Sequence, residues 1–219
     1  MTRKRFDEQL SELNDSLIEM GAMVEQAIAL ASKALVEQDT ELAEQVIAAD
    51  DDIDDKEKEI ESLCLTIMLQ QHPVAGDLRY ISSVMKIVTD LERIGDHAQD
   101  ISEISLMLAG RPYIRRLELI PQMAEATQQM VSTCIDAFVK RDLDLARYVI
   151  VSDDVVDELY VRMKGILVDS IRVNTENSDQ AIDLIIGAKY FERIGDHAVN
   201  VAEWVVFSLT GMYKRKRIL

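Results

Sequence analysis

Apolar residues recur along this chain at steps of three and four, the period of an amphipathic helix. Between Arg5 and Val36 they fall at Phe6, Leu10, Leu13, Leu17, Met20, Val24, Ala27, Ala31, Ala34 and Leu35. At roughly 1.5 Å per residue, that predicts a helix about 45–50 Å long. Asp39 stands where an N-cap belongs, with Glu41 in the first turn where the helix dipole favours an acid. A second helix runs from there to Gln70. His72-Pro73-Val74-Ala75-Gly76 breaks it, a third spans Asp77 to Ala109, and Gly110-Arg111-Pro112 ends that one. The same pattern then predicts helices over Leu119–Lys140, Asp142–Val173 and Ser178–Gly211.

The second three helices repeat the first three. At an offset of 103 positions Met20 meets Met123, Ala34 meets Ala137, Asp39 meets Asp142, and Asp50, Asp51 and Asp54 meet Asp153, Asp154 and Asp157. After the second helix the offset falls to 100, because the loop after the fifth helix is three residues shorter. There Glu92-Arg93-Ile94-Gly95-Asp96-His97-Ala98 returns unchanged as Glu192-Arg193-Ile194-Gly195-Asp196-His197-Ala198. The predicted fold is all-α: two tandem three-helix bundles, residues 1–110 and 111–219.

Composition agrees, with 3 Pro and 8 Gly in 219 residues. The formal charge of −16, from 40 acids and 24 bases, argues against a nucleic-acid surface, which needs a basic face. Cys64 and Cys134 have no metal or redox spacing and read as buried thiols in a reducing compartment. The N-terminal segment has no apolar signal region, and no apolar run reaches membrane-spanning length, so a soluble, cytoplasmic protein is expected. Lys214-Arg215-Lys216-Arg217 reads as cations offsetting a helix C-terminus, or as a contact to anionic lipid or an acidic partner, so membrane association is at most peripheral.

Placed at 100° per residue, Ile87, Leu91, Ile94, Ala98, Ile101 and Leu108 face the core, while Glu92, Asp96, Asp100 and Glu103 lie nearly opposite. Glu192, Asp196, Asn200 and Glu203 repeat this on the sixth helix. Asp50, Asp54, Glu57 and Glu61 make a stripe on the second helix, and Asp153 and Asp157 one on the fifth. Like charges at i, i+4 destabilise a helix by roughly 0.2–0.5 kcal/mol, and solvated faces usually alternate sign. Here acids stack without bases at matching places in both halves. Two such pairs on neighbouring helices bring four carboxylates to one point, an oxygen site for Mg²⁺, Mn²⁺, Ca²⁺ or iron, and for Zn²⁺ as well; the other reading is a solvated face without metal.

Gly95 and Gly195 weaken their helices by roughly 1 kcal/mol against Ala, which points to close approach of a neighbouring helix. Arg93 and Arg193 flank the acids and can pair with Asp90 or with a carboxylate of the adjacent helix. His97 and His197 lie five residues from Glu92 and Glu192, about 140° around the helix, so they read as supporting or packing residues rather than ligands. The Glu-x-x-His of bundle di-iron oxidases does not occur, nor does a nucleophile elbow or a phosphate loop. No catalytic residue is therefore assigned; a carboxylate-bridged metal enzyme and a metal-free helical scaffold are the alternatives.

Pro73-Val74-Ala75-Gly76-Asp77-Leu78-Arg79, then Lys86-Ile87-Val88-Thr89-Asp90-Leu91 leading into the heptapeptide, and its second copy at Phe191–Ala198 closely resemble the PhoU family, over nearly the whole chain. The resemblance implies a cytoplasmic six-helix regulator that associates with the phosphate ABC transporter and a sensor histidine kinase, limits phosphate uptake and holds phosphate-starvation signalling off. It also implies a homodimer, and metal clusters of iron or zinc on Glu/Asp-x-x-x-Asp motifs; manganese and magnesium are further candidates on ligand chemistry alone. Carried over, the first site uses Asp50, Asp54, Glu92, Asp96 and Asp100, and the second Asp153, Asp157, Glu192 and Asp196. Asn200 is counted with the second site's metal residues in the place of Asp100, and Tyr160 and Lys164 replace Glu57 and Glu61, so the second site is expected to bind metal more weakly.

Overall fold

Two turns are built alike and set the plan of both halves. After α1 (Thr2–Glu37), Gln38 takes a left-handed φ of 56°, and Asp39 caps α2 (Thr40–Gln71) by accepting from the Leu42 amide at 3.0 Å. After α4 (Leu119–Lys140), Arg141 takes φ 54°, and Asp142 caps α5 (Leu143–Val173) by accepting from Asp144 and Leu145 at 2.9 and 3.1 Å. In each turn the Asp amide reaches back to the alanine five residues before it, Ala34 or Ala137, at 3.1 and 2.8 Å. The side chain thus satisfies amides that open a helix, and the left-handed residue closes the one before. α3 (Gly76–Leu108) and α6 (Ser178–Thr210) complete the six α-helices found among the described residues. The computed structural model describes residues 2–71, 73–214 and 216–217; His72 of the expected break and Arg215 of the basic tail lie outside them.

The expected helices are all present, and the described part of the tail folds back as a ribbon pairing Met212–Tyr213 with Lys216–Arg217. Gly211, at φ 76°, ends α6 with its amide on Phe207 O at 2.8 Å. A single-turn 3₁₀ segment, Thr175–Asn177, leads into α6.

α3 and α6 form the centre, and their mutual contact is the most extensive in the protein; α1 meets α4 across the same seam. The hydrophobic core is therefore continuous across both halves. Ile87, Leu91, Ile94, Ala98 and Ile101 are fully buried, as their spacing predicts. α3 is also covered on a second side by α6, where His97 stacks on Tyr190 and Ile104 meets α6 at Gly187. Ser83, Ser102 and Ser105 of α3 are buried as well and return their hydroxyls to carbonyls four residues back, at 2.8, 2.9 and 3.0 Å. Residues 109–118 join the halves and are fastened to both. Gln38 Nε2 donates to Leu108 O and Arg111 O at 2.9 and 2.7 Å, and the Ile114 amide donates to Gln180 Oε1 at 2.6 Å.

Candidate functional site

Asp50 and Asp54 rise from α2, and Glu92 and Asp96 from α3, each pair one turn apart and so on one face. One oxygen each from Asp50, Asp54 and Asp96 lies within 4.8 Å of the others. Gly95 makes this possible. A Cβ there would stand 3.1 Å from Ile53 Cδ1 and 3.2 Å from Asp50 Oδ1, so α2 crosses α3 at the glycine with the Asp50 carboxylate laid over it. Close helix approach, the reason expected for this residue, is what the structure contains.

Crowding is visible in the acidities. Burial, then Asp96 and Asp54, push the Asp50 carboxyl up to about 6. Burial and Asp96 push Glu92 up to about 7 against the opposing pull of Arg93, and burial raises Glu57. Arg93 donates to Asp96 Oδ2 at 2.6 Å, and its Nε lies 3.3 Å from Glu92 Oε2; it pairs within its own helix, not with Asp90. That oxygen of Glu92 is nevertheless buried without a hydrogen bond. An oxygen so placed is costly unless a proton or a cation meets it.

The second half repeats the frame and changes the charges. A Cβ on Gly195 would stand 2.7 Å from Asp153 Oδ1. Burial, then Asp157, Asp196 and Glu192, push Asp153 up to about 6. Asp153 Oδ1 and Glu192 Oε2 are buried without hydrogen bonds. Asp157 and Asp196, however, are exposed, whereas Asp54 and Asp96 are half-buried. Among the described residues, no three acids of this face draw as close as Asp50, Asp54 and Asp96. Lys189 pairs with Glu192 Oε1 and lies 5.2 Å above the Tyr160 ring, with Lys164 5.7 Å from the same ring. Lys189 stands where the first half has Thr89, a substitution that the 100-residue offset displays although it lies outside the repeated heptapeptide.

The remaining expected residues gather between α3 and α6. His97 is buried, stacks on Tyr190 at 5.4 Å and lies 5.5 Å from His197 between ring centroids. Its Nδ1 is 3.2 Å from Asp100 Oδ2, its Nε2 is buried without a partner, and burial, the Asp100 contact opposing, lowers its pKa. His197 Nδ1 is 2.8 Å from Asp90 Oδ1, and Asn200 Nδ2 donates to the same oxygen at 3.2 Å. Asp100 thus stands at the margin of the first face, tied to a histidine. Asn200 points across the seam to Asp90, and its Oδ1 accepts from Lys214 Nζ at 3.4 Å. Arg193 forms no ion pair with the second face among the described residues, though its charge contributes to lowering His97.

Asp50, Asp54, Glu92 and Asp96 fit a cation on three counts: convergence, an orphaned buried oxygen, and an all-oxygen donor set suited to iron, manganese or magnesium, with zinc also accepting carboxylates. Asp153, Asp157, Glu192 and Asp196 fit on the second and third counts. Surface grooves of about 570 and 480 Å³ are lined by other residues.

The family model described as "PhoU domain" matches the chain twice, over residues 17–105 and 120–205. The phosphate-specific transport system accessory protein PhoU homolog of Clostridium acetobutylicum is 41% identical, covering 96% of this chain and 97% of that one. The protein so named from Aquifex aeolicus is 40% identical over 84% of each. The crystal structure of PhoU from Pseudomonas aeruginosa superimposes with a TM-score of 0.89 at 34% identity, covering 94% of this chain and all of that one. The phosphate transport system regulatory protein PhoU from Streptococcus pneumoniae does so with a TM-score of 0.87 at 27% identity, covering 95% of this chain and 98% of that one.

Proposed function

The chain belongs to the PhoU family, and from that premise we propose that it regulates phosphate uptake and phosphate-starvation signalling. In this reading it is a non-enzymatic adaptor between the ATPase subunit of a phosphate ABC transporter and a sensor histidine kinase, and it works as a homodimer. The observation that carries the reading is the length of the likeness. Relatives named as phosphate-specific transport system accessory proteins align over 96% and 95% of the chain.

The two acidic faces suit such a role, since they are open and continuous with the surface that a partner meets. Asp50, Asp54, Glu92 and Asp96 would hold metal in the first half, and Asp153, Asp157, Glu192 and Asp196 in the second. A bound cation supplies positive charge where the carboxylates repel one another. Arg93 and Lys189 partly do this already, each holding one acid of its face in place. Among the described residues no helix is long and apolar enough to cross a membrane, which suits action from the cytoplasm with at most peripheral membrane contact.

Deleting the chain from its host and measuring phosphate uptake with a phosphate-starvation reporter tests the function. In phosphate-replete medium both should rise and return on complementation. Unchanged uptake and reporter activity would sink the proposal. A pull-down of the purified chain on the transporter ATPase subunit tests the adaptor role separately.

A further inference from the structure

α5 carries a stripe that the bundle leaves bare. Tyr148, Val151 and Val155 are 60%, 67% and 54% exposed. With Asp144, Glu158 and Arg162, all exposed, they step 4, 3, 4, 3, 4 along the helix, the seven-residue repeat of a coiled-coil seam. The core side of this helix is a different one, built from Val149, Val156 and Met163. Nor does the fold require the stripe. Its counterpart on α2 reads Glu41, Gln45, Ala48, Asp52, Asp55 and Glu59, a set that repels a copy of itself.

The α5 seam matches itself when reversed. Set antiparallel on a second α5 about a twofold axis level with residue 153, Val151 meets Val155, Tyr148 meets Glu158, and Asp144 meets Arg162. Valine packs on valine, a phenol can donate to a carboxylate, and acid meets base, each contact made twice by symmetry. A parallel arrangement stacks Asp144, Glu158 and Arg162 each on its own copy, with like charges opposed. Sliding the antiparallel register one heptad puts the valines against Arg162 and Glu158. The ridge also has space on either side. Val155 borders a groove of about 480 Å³ against α4, and Val151 one of about 390 Å³ against α6, where Met212 is exposed.

We infer that this face of α5 is where a second copy of the chain docks, α5 antiparallel on α5 with Val151 opposite Val155. The inference rests on the homodimer of the proposed function and names its surface.

Sedimentation velocity over a concentration series should show a dimer for the native chain and a monomer for Val151→Lys, with helicity unchanged because the side chain is exposed within one copy, and with only the native chain melting higher as concentration rises. Cross-linking reads the register. Asp144 and Arg162 of one copy are about 27 Å apart along the helix. Mixed Asp144→Cys and Arg162→Cys chains should therefore form a disulfide dimer on oxidation, while neither forms one alone; native Cys64 and Cys134 are fully buried and stay silent. A native monomer at every concentration, a Val151→Lys dimer, or cross-linking of either variant by itself would each overturn the inference. Phosphate regulation is read separately from the deletion strain, so a Val151→Lys monomer that still restores it keeps the α5 interface and the regulator, and removes only the claim that regulation works through the homodimer.

Discussion

The two halves share a backbone plan and a heptapeptide yet hold their acids differently. In the first, Asp50, Asp54 and Asp96 converge around a glycine crossing, half-buried, with Arg93 as the cation at the rim. In the second, the same crossing keeps Asp153 over Gly195, but Asp157 and Asp196 stand in solvent, and Lys189 and Lys164 close on Tyr160 where the first half has Thr89, Glu61 and Glu57. A shared motif therefore fixes where carboxylates emerge. Their neighbours decide how much negative charge each face concentrates, and hence how strongly each attracts a cation.

The largest test of this difference is metal titration of the chelated protein. Two classes of site are expected, the tighter in the first half. Asp96→Asn should weaken the tighter class by about tenfold or more, since it removes a converging ligand, whereas Asp196→Asn should leave that class intact and reduce only the weaker. Equal losses would make the halves equivalent, and no binding to either would leave both as solvated faces.

Next in size is the response of the metal-free chain to pH. Asp50 and Asp153 lie near 6 and Glu92 near 7, all above their unfolded values, so between about pH 4 and 7 the folded chain holds more protons than the unfolded one. Stability conferred by these groups is present in acid and lost as pH rises through that window. After discounting for solvent screening, the loss is on the order of 1 kcal/mol per group. Asp50→Asn with Glu92→Gln should flatten the melting profile between pH 5 and 8 more than Asp153→Asn does. A metal-free protein that melts higher at pH 8 than at pH 5 in native form, and alike in the variants, would contradict the crowding of the first face.

Much of this was legible in the residues themselves. Steps of three and four located all six helices. Asp39 and Asp142 marked the caps because a side-chain oxygen at that place satisfies opening amides, and an otherwise costly Gly95 announced a helix crossing. What stayed hidden depends on the neighbour across a seam. Periodicity reports how wide an apolar stripe is, not which helix covers it, so the α3–α6 centre, with His97 stacked on Tyr190, was not foreseen. The same limit placed Asn200 among the ligands, when a partner 110 residues away, Asp90, holds it instead. Arg93 was expected on Asp90 or on an acid of the adjacent helix, but its long side chain reaches Glu92 and Asp96 of its own helix, and packing settles it there.

A smaller contrast separates the two glycines. At Gly95 an added methyl meets Ile53, a buried branched side chain, as well as Asp50. Overpacking there costs about 1–3 kcal/mol, against roughly 1 kcal/mol gained in helix propensity. At Gly195 the short contact is a carboxylate oxygen, which can swing outward, and Val156 stands at an ordinary 3.6 Å. Gly95→Ala should therefore lower the melting temperature by about 2–4 °C, while Gly195→Ala holds or raises it and weakens metal at the second face by displacing Asp153. Equal melting shifts would mean that the crossings are equally tight.

The smallest effect is expected from restoring the acid that the second half lacks. Asn200→Asp recreates the first half's sequence and, on alignment alone, would strengthen the second site. In place it loses the amide donor to Asp90 Oδ1 and sets a carboxylate beside that carboxylate, with His197 and the Lys214 ammonium the cationic groups beside it among the described residues. Stability should fall by about 1 kcal/mol, read by denaturant melting, and second-site affinity for metal should not rise. A gain in affinity would mean that residue 200 swings from the seam to the face when metal binds, and that the halves differ by one amide rather than by their cations.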